Sequence, residues 1–164
     1  MADLAFVVLF FFVITIVPSE ETGFLMKMEG WSEEPPSSVR VKSRNILYIG
    51  ISYNNDLHVR GDTASFETLK SKVIEFVSNP NKSPELAENT WQAKIYFHYE
   101  RETSYEDFMV VMGIVKAAYW ELWEKEAMAR FKQHYSKLTT SERRFIRGLI
   151  PFSFEEAIRW YCGY

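Results

Sequence analysis

The sequence predicts a single N-terminal transmembrane helix, a tether, and a two-layer α+β domain ordered β-β-α-β-α, followed by extra C-terminal helices and a last strand. Three observations carry this reading. Leu4 to Val17 is a run of fourteen apolar or weakly polar residues stopped by Pro18. Apolar residues alternate with period two in "ILYIGISY" and "AKIYFHY", the signature of strands with one buried face. They recur at helical spacing at Phe66, Leu69, Val73 and Phe76-Val77, and again at Phe108, Val111, Met112, Val115, Tyr119 and Leu122.

A length of 164 residues suits one modest domain plus accessory segments. A net charge of −3 argues against a nucleic-acid binder. The charge is uneven: residues 18–35 hold five Glu and one Lys, whereas residues 116–147 hold eight Lys or Arg against four Glu. Such blocks are usually solvated surface and sometimes docking patches. The single cysteine, Cys162, excludes an intrachain disulfide.

The N-terminal run admits three readings. As a signal peptide it has an apolar core, but it lacks a basic leader and a small-residue cleavage site at Val17-Pro18-Ser19. As a buried core helix it is apolar on every face. As a membrane helix it is short of the roughly 20 residues a bilayer needs unless the helix starts upstream of Met1. Asp3 would then lie within the membrane, where a carboxylate is costly and marks function. Its plainer role is a helix N-cap.

Residues 18–45 read as a tether, with Pro18, Gly23, Gly30, Pro35-Pro36 and no persistent period. From Ile46, Leu47, Ile49, Ile51 and Tyr53 share one strand face. "NND" turns the chain and "LHVR" resumes alternation, which predicts a hairpin ended by Gly61-Asp62. A helix from Phe66 stops at Asn79-Pro80, and "NPNKSPELAEN" is a surface loop. The strand with Ile95, Phe97 and Tyr99 follows. Ser104 with Asp107 makes a capping box for a long helix running to about Tyr135. Ser141 caps a short helix ending near Leu149-Ile150, and "PFSFEEA" supplies a last edge strand near Pro151 to Phe154. The segments are thus 1–17, 18–45, 46–119 and 120–164.

The sequence has no glycine-rich phosphate loop, nucleophile elbow or metal-spaced cluster, so no enzyme, cofactor or metal is expected. His58 and His98 alternate outward on their strands. Glu155-Glu156 reads as a solvated strand end. Trp120 and Trp123 suit either a protein contact or packing against the extra helix.

"DLAFVVLFFFVIT" resembles the membrane segment of the ExbD/TolR family of biopolymer-transport proteins, with Asp3, Phe12 and Thr15 at the matching places. "SYEDFMVVMGIV" resembles that family's Tyr-x-x-aliphatic-Met-x-Val-Met helix. "NILYIGISYNNDLHVRGD" and "EFVSNPNKSPEL" resemble a longer branch with a C-terminal helical addition. The resemblance spans residues 2–119. It implies a short, often basic segment before the helix, so about ten to twenty-five residues are expected upstream of Met1.

The resemblance further implies a proton-motive-force-driven motor component of the bacterial inner membrane, single-pass, with its domain in the periplasm. It implies a homodimer held by an ExbB/TolQ-like pentamer in the lipid bilayer, and a TonB- or TolA-like periplasmic partner. Asp3 would carry protons, and Thr15 would line their path or back-bond to its own helix. A partner strand would add to a sheet edge, either at Leu47, Ile49, Ile51 and Tyr53 or at the last strand. The competing reading is a membrane-anchored periplasmic module that associates with envelope polymer such as peptidoglycan, with no proton role. The apolar Phe24, Leu25, Met26 and Trp31 also predict that part of the tether docks on the membrane interface or the partner ring.

Overall fold

The structure, a computed structural model, describes residues 6–11, 41–100 and 102–156. It divides into two units, Met1–Ser38 and Val39–Tyr164. In the first, residues 6–11 are helical and exposed, with the Phe6 and Phe10 rings stacked 6.3 Å apart. Among the described residues no helix is long and apolar enough to cross a membrane. The remainder of the 1–17 segment expected to do so lies outside them.

The second unit is a mixed α+β domain on one five-stranded sheet. Its strands are β1 (Ile46–Ile51), β2 (Leu57–Val59), β3 (Asp62–Thr63), β4 (Lys94–Tyr99) and β5 (Glu155–Glu156). The order across the sheet is β3-β2-β1-β4-β5. β1 runs antiparallel to β2, with Ile49 opposite Val59, and parallel to β4, with Leu47 opposite Ile95. Period-two alternation therefore lines up Leu47, Ile49, Ile51, Leu57, Val59, Ile95 and Phe97 on one face, where all are buried. Helices α1 (Phe66–Ser78), α2 (Tyr105–Phe131) and α3 (Thr140–Leu149) contribute the rest of a single core.

Local chemistry sets the element ends. Asn55, at φ 62°, supplies the left-handed residue of the β1–β2 turn. Arg60 and Gly61, at φ 56° and 90°, form the tight two-residue reversal into β3, a strand beyond the point where the sequence pattern ends the hairpin. The Ser65 hydroxyl accepts from the Thr68 amide to cap α1. Asn79 ends α1 in the left-handed region and then braces the next loop: its side-chain amide donates to the Ser83 and Ala87 carbonyls.

Several expectations need correction. Ser104 caps α2 by accepting from the Asp107 amide, but the Asp107 carboxylate accepts from the Ser104 hydroxyl instead of closing a capping box. α2 stops at Phe131 and not near Tyr135, because Lys132 turns left-handed at φ 56° and sends Tyr135 into a short 3-10 turn at Tyr135–Lys137. Thr139, not Ser141, caps α3. Its hydroxyl accepts from the Glu142 amide while the Glu142 carboxylate accepts from the Thr139 amide. The last strand is Glu155–Glu156; Pro151 to Phe154 lead into it without pairing.

The stretch read as a tether to residue 45 is packed structure at its end. Lys42 pairs with Glu88 at 2.9 Å, Arg44 donates to the Leu86 and Ser83 carbonyls, and buried Asn45 accepts from the Glu88 amide. These polar ends hold the 83–92 loop against the start of β1. The boundary expected at residue 119 falls inside α2, whose later residues Trp123 and Ala127 belong to the same core.

Candidate functional site

Asp3 and Thr15 lie outside the described residues. The candidate partner-strand edges lie in the α+β domain. β1 was one of the two expected edges, but its hydrogen-bonding groups are taken on both sides by β2 and β4. Leu47, Ile49 and Ile51 are buried core residues. Tyr53 lies beyond the strand, 70% exposed in the turn where the Ser52 amide donates to the Asp56 carbonyl. The sequence signal was a strand with one apolar face, which says nothing of how many neighbours flank it.

Among the described residues the sheet ends at β3 and β5. β5 runs parallel to β4, with Tyr96 opposite Glu155 and Phe97 opposite Glu156. On the open face Lys94 pairs with Glu155 at 2.8 Å. On the helix face the Phe154 ring lies 5.5 Å from Phe97, and the Glu156 carboxylate meets the Tyr99 hydroxyl. That hydrogen bond, then burial, then the carboxylate's charge push the Tyr99 phenol above its ordinary range. Upstream, the Phe152 ring meets Tyr119 edge-on at 5.0 Å. Burial pushes the Tyr119 phenol well up, so it is a neutral core group.

The sheet face away from the helices carries Tyr48 and Tyr96, their rings 5.8 Å apart, with His58 and His98 in the next row. Both histidines are registered against Gly50, which places no side chain between them. They are half-buried; His98 Nε2 lies 3.5 Å from the Glu100 carboxylate. Sequence alternation turned both histidines outward, but their shared row depends on strand pairing that a single sequence does not display. Among the described residues no group of three or more His, Cys, Asp or Glu could hold a metal ion. What this sheet offers chemically is therefore backbone pairing at its edges and an aromatic face.

The C-terminal helical addition is bound to the domain by polar contacts at its seam. Trp123 Nε1 donates to the Ile150 carbonyl at 2.9 Å, and the Thr90 hydroxyl donates to the Leu149 carbonyl at 2.8 Å. Trp123 is buried and stacks on Tyr135 at 5.5 Å. Trp120 stays 47% exposed with its edge on the same Tyr135 ring. The Glu124 carboxylate accepts from the Tyr135 amide and meets the His134 ring, and these contacts hold it below its ordinary range.

The model of one protein family, described as biopolymer transport protein ExbD/TolR, matches residues 1–121. The matched span contains Asp3, Thr15 and strands β1 to β4, and it ends within α2. No curated protein matches the chain.

Proposed function

The chain belongs to the ExbD/TolR family of biopolymer transport proteins, and from that premise we propose that it is an ExbD-like component of a proton-driven motor in the bacterial inner membrane. In this reading residues 1–17 belong to a single membrane-spanning helix and the α+β domain lies in the periplasm. The motor energises outer-membrane transport through a TonB-like partner, and an ExbB/TolQ-like ring surrounds the helix. The observation that carries the proposal is the family match over residues 1–121, which takes in the apolar run headed by Asp3.

Asp3 is the proton carrier. A carboxylate facing a protein interior within a bilayer exchanges its proton with whichever side reaches it. Passage of one charge across about 100 mV is worth roughly 2.3 kcal/mol, enough to bias a step between equivalent positions in a ring. Hydroxyls, Thr15 among them, suit the path. In the periplasm, the sheet edge at β5 supports strand addition by a partner.

The test is Asp3→Asn, which keeps the shape of the side chain and removes the titration. Membrane assembly is expected to persist while energised uptake is abolished. Normal uptake by Asp3→Asn would overturn the proton role and favour an anchored envelope-binding module.

A further inference from the structure

The C-terminal addition carries a surface whose chemistry the motor role leaves unused. Between residues 125 and 147 there are seven Lys or Arg and two Glu. Three of the cations are committed internally. Arg130 pairs with Glu126, Arg143 donates to the Leu138 and Ser136 carbonyls, and Arg147 donates to the Tyr135 hydroxyl. The other four, Lys125, Lys132, Lys137 and Arg144, are exposed and make no ion pair among the described residues.

Beside these cations the addition exposes an aromatic ring. Phe145 is 49% exposed at the junction of α2 and α3. Its ring meets Phe131 edge-on at 6.4 Å and lies under the Arg130 guanidinium at 5.6 Å. Lys132 and Arg144 are the chain neighbours of those two rings. An exposed apolar ring beside exposed cations is the composition of a surface that lies at a membrane interface.

We propose that this junction is a peripheral membrane site that binds anionic phospholipid headgroups through Lys132 and Arg144 and sets Phe145 among the acyl-chain ends. The inference rests on the membrane-anchored reading above, since a chain anchored in a bilayer meets its headgroups at high effective concentration. An acidic polypeptide would satisfy the charge alone; the exposed ring favours lipid. The site lies beyond residues 1–121, so it belongs to the part of this chain outside the family match.

The experiment uses the full chain reconstituted into phosphatidylcholine vesicles, with or without phosphatidylglycerol. Flotation and hydrogen exchange of the segment 128–147 are followed together. The expected result is roughly fivefold slower exchange with phosphatidylglycerol, on the scale of one basic residue's attraction to an anionic surface. The slowing is expected to vanish at high salt and in Lys132→Glu/Arg144→Glu, and to weaken in Phe145→Ser, with circular dichroism showing the variants folded. Equal exchange in the two lipids, or slowing untouched by charge reversal, overturns the proposal. Equal slowing by soluble polyglutamate beside phosphatidylcholine vesicles overturns it in favour of an acidic polypeptide. A chain that fails to float with phosphatidylcholine refutes the anchor, while its flotation with phosphatidylglycerol still reports on the headgroup site.

Discussion

Ile146 and Phe145 are neighbours on α3 that face opposite ways, and the pair tests whether the C-terminal addition is part of the domain or an appendage. Ile146 is fully buried at 0% exposure, whereas Phe145 is 49% exposed. Ile146→Ala removes apolar atoms from the single core and leaves a cavity there. Buried Ile→Ala changes cost about 2–5 kcal/mol. A middle value lowers the melting temperature of a domain this size by roughly 10 °C. Phe145→Ala removes a larger side chain, but water refills half of its surroundings, so about 1 kcal/mol is expected. The assay is urea unfolding in a Trp31→Phe/Trp91→Phe/Trp160→Phe background, read by tryptophan fluorescence, which Trp120 and Trp123 then place at the addition, and by far-ultraviolet circular dichroism, which reports the whole domain. Coincident curves shifted strongly by Ile146→Ala and weakly by Phe145→Ala are expected. A larger loss from Phe145→Ala, or fluorescence melting well before circular dichroism, would refute the single-core reading.

Trp123→Phe keeps most of the packing but leaves the Ile150 carbonyl without its donor, so a loss of about 1–3 kcal/mol is expected in the same urea assay. Gly61→Ala meets no atom within 4 Å yet forces a side chain onto φ +90°, so it destabilises by about 1 kcal/mol through the backbone alone, seen as a lower melting temperature. Glu88, Glu124 and Glu142 sit below the ordinary 4.5, held chiefly by the Lys42 side chain, the Tyr135 amide and the Thr139 hydroxyl respectively. Each therefore contributes stability above pH 4.5 that is lost as pH falls through its folded value; urea midpoints are expected to drop on that acid limb, and less steeply in Glu142→Gln. Thr139→Ala removes the α3 cap and is expected to cost about 1 kcal/mol.

Much of the domain was legible because its signals are local. Alternation at Leu47, Ile49, Ile51 and at Ile95, Phe97 marked the two long inner strands, and helical spacing marked α1 and most of α2. What stayed hidden depends on contacts distant in sequence. The parallel pairing of β1 with β4 buries both edges of a strand whose own residues only announce one apolar face. The end of α2 turns on a left-handed Lys132, a residue type without a turn signature. Thr139 and Ser141 both precede Glu142, and spacing to the carboxylate decides for Thr139, a distinction a scan for hydroxyls alone passes over. Of the candidate sites, Asp3 rests on the sequence alone, as a charge heading an apolar run, whereas the edge at β5 is visible only in the sheet order.

That order bears on how a partner strand could join. Residues 1–121 include β4 but not β5, so the matched part of the chain by itself would leave the outer side of β4 unpaired. Among the described residues the chain fills that side with Glu155 and Glu156. The Lys94–Glu155 pair is half-exposed, and solvent screening holds such pairs to about 1 kcal/mol. The half-buried Phe154 ring on Phe97, the Phe152 ring on Tyr119 and the Glu156–Tyr99 hydrogen bond hold β5 as well. A strand arriving at this side of the sheet therefore has two physical options. It can pair with the backbone of Glu155–Glu156, facing two carboxylates whose charges discourage indiscriminate edge pairing. Or it can take the place of β5 on β4, which requires an apolar residue to replace Phe154 against Phe97. The second option selects for sequence as well as backbone, because a strand without such a residue leaves Phe97 open to water. The opposite edge, β3, is Asp62–Thr63, both exposed, with no six-residue strand behind it comparable to β4. On the proposed reading that a partner adds a strand, edge chemistry favours the β4–β5 side, where residues of the C-terminal addition supply β5.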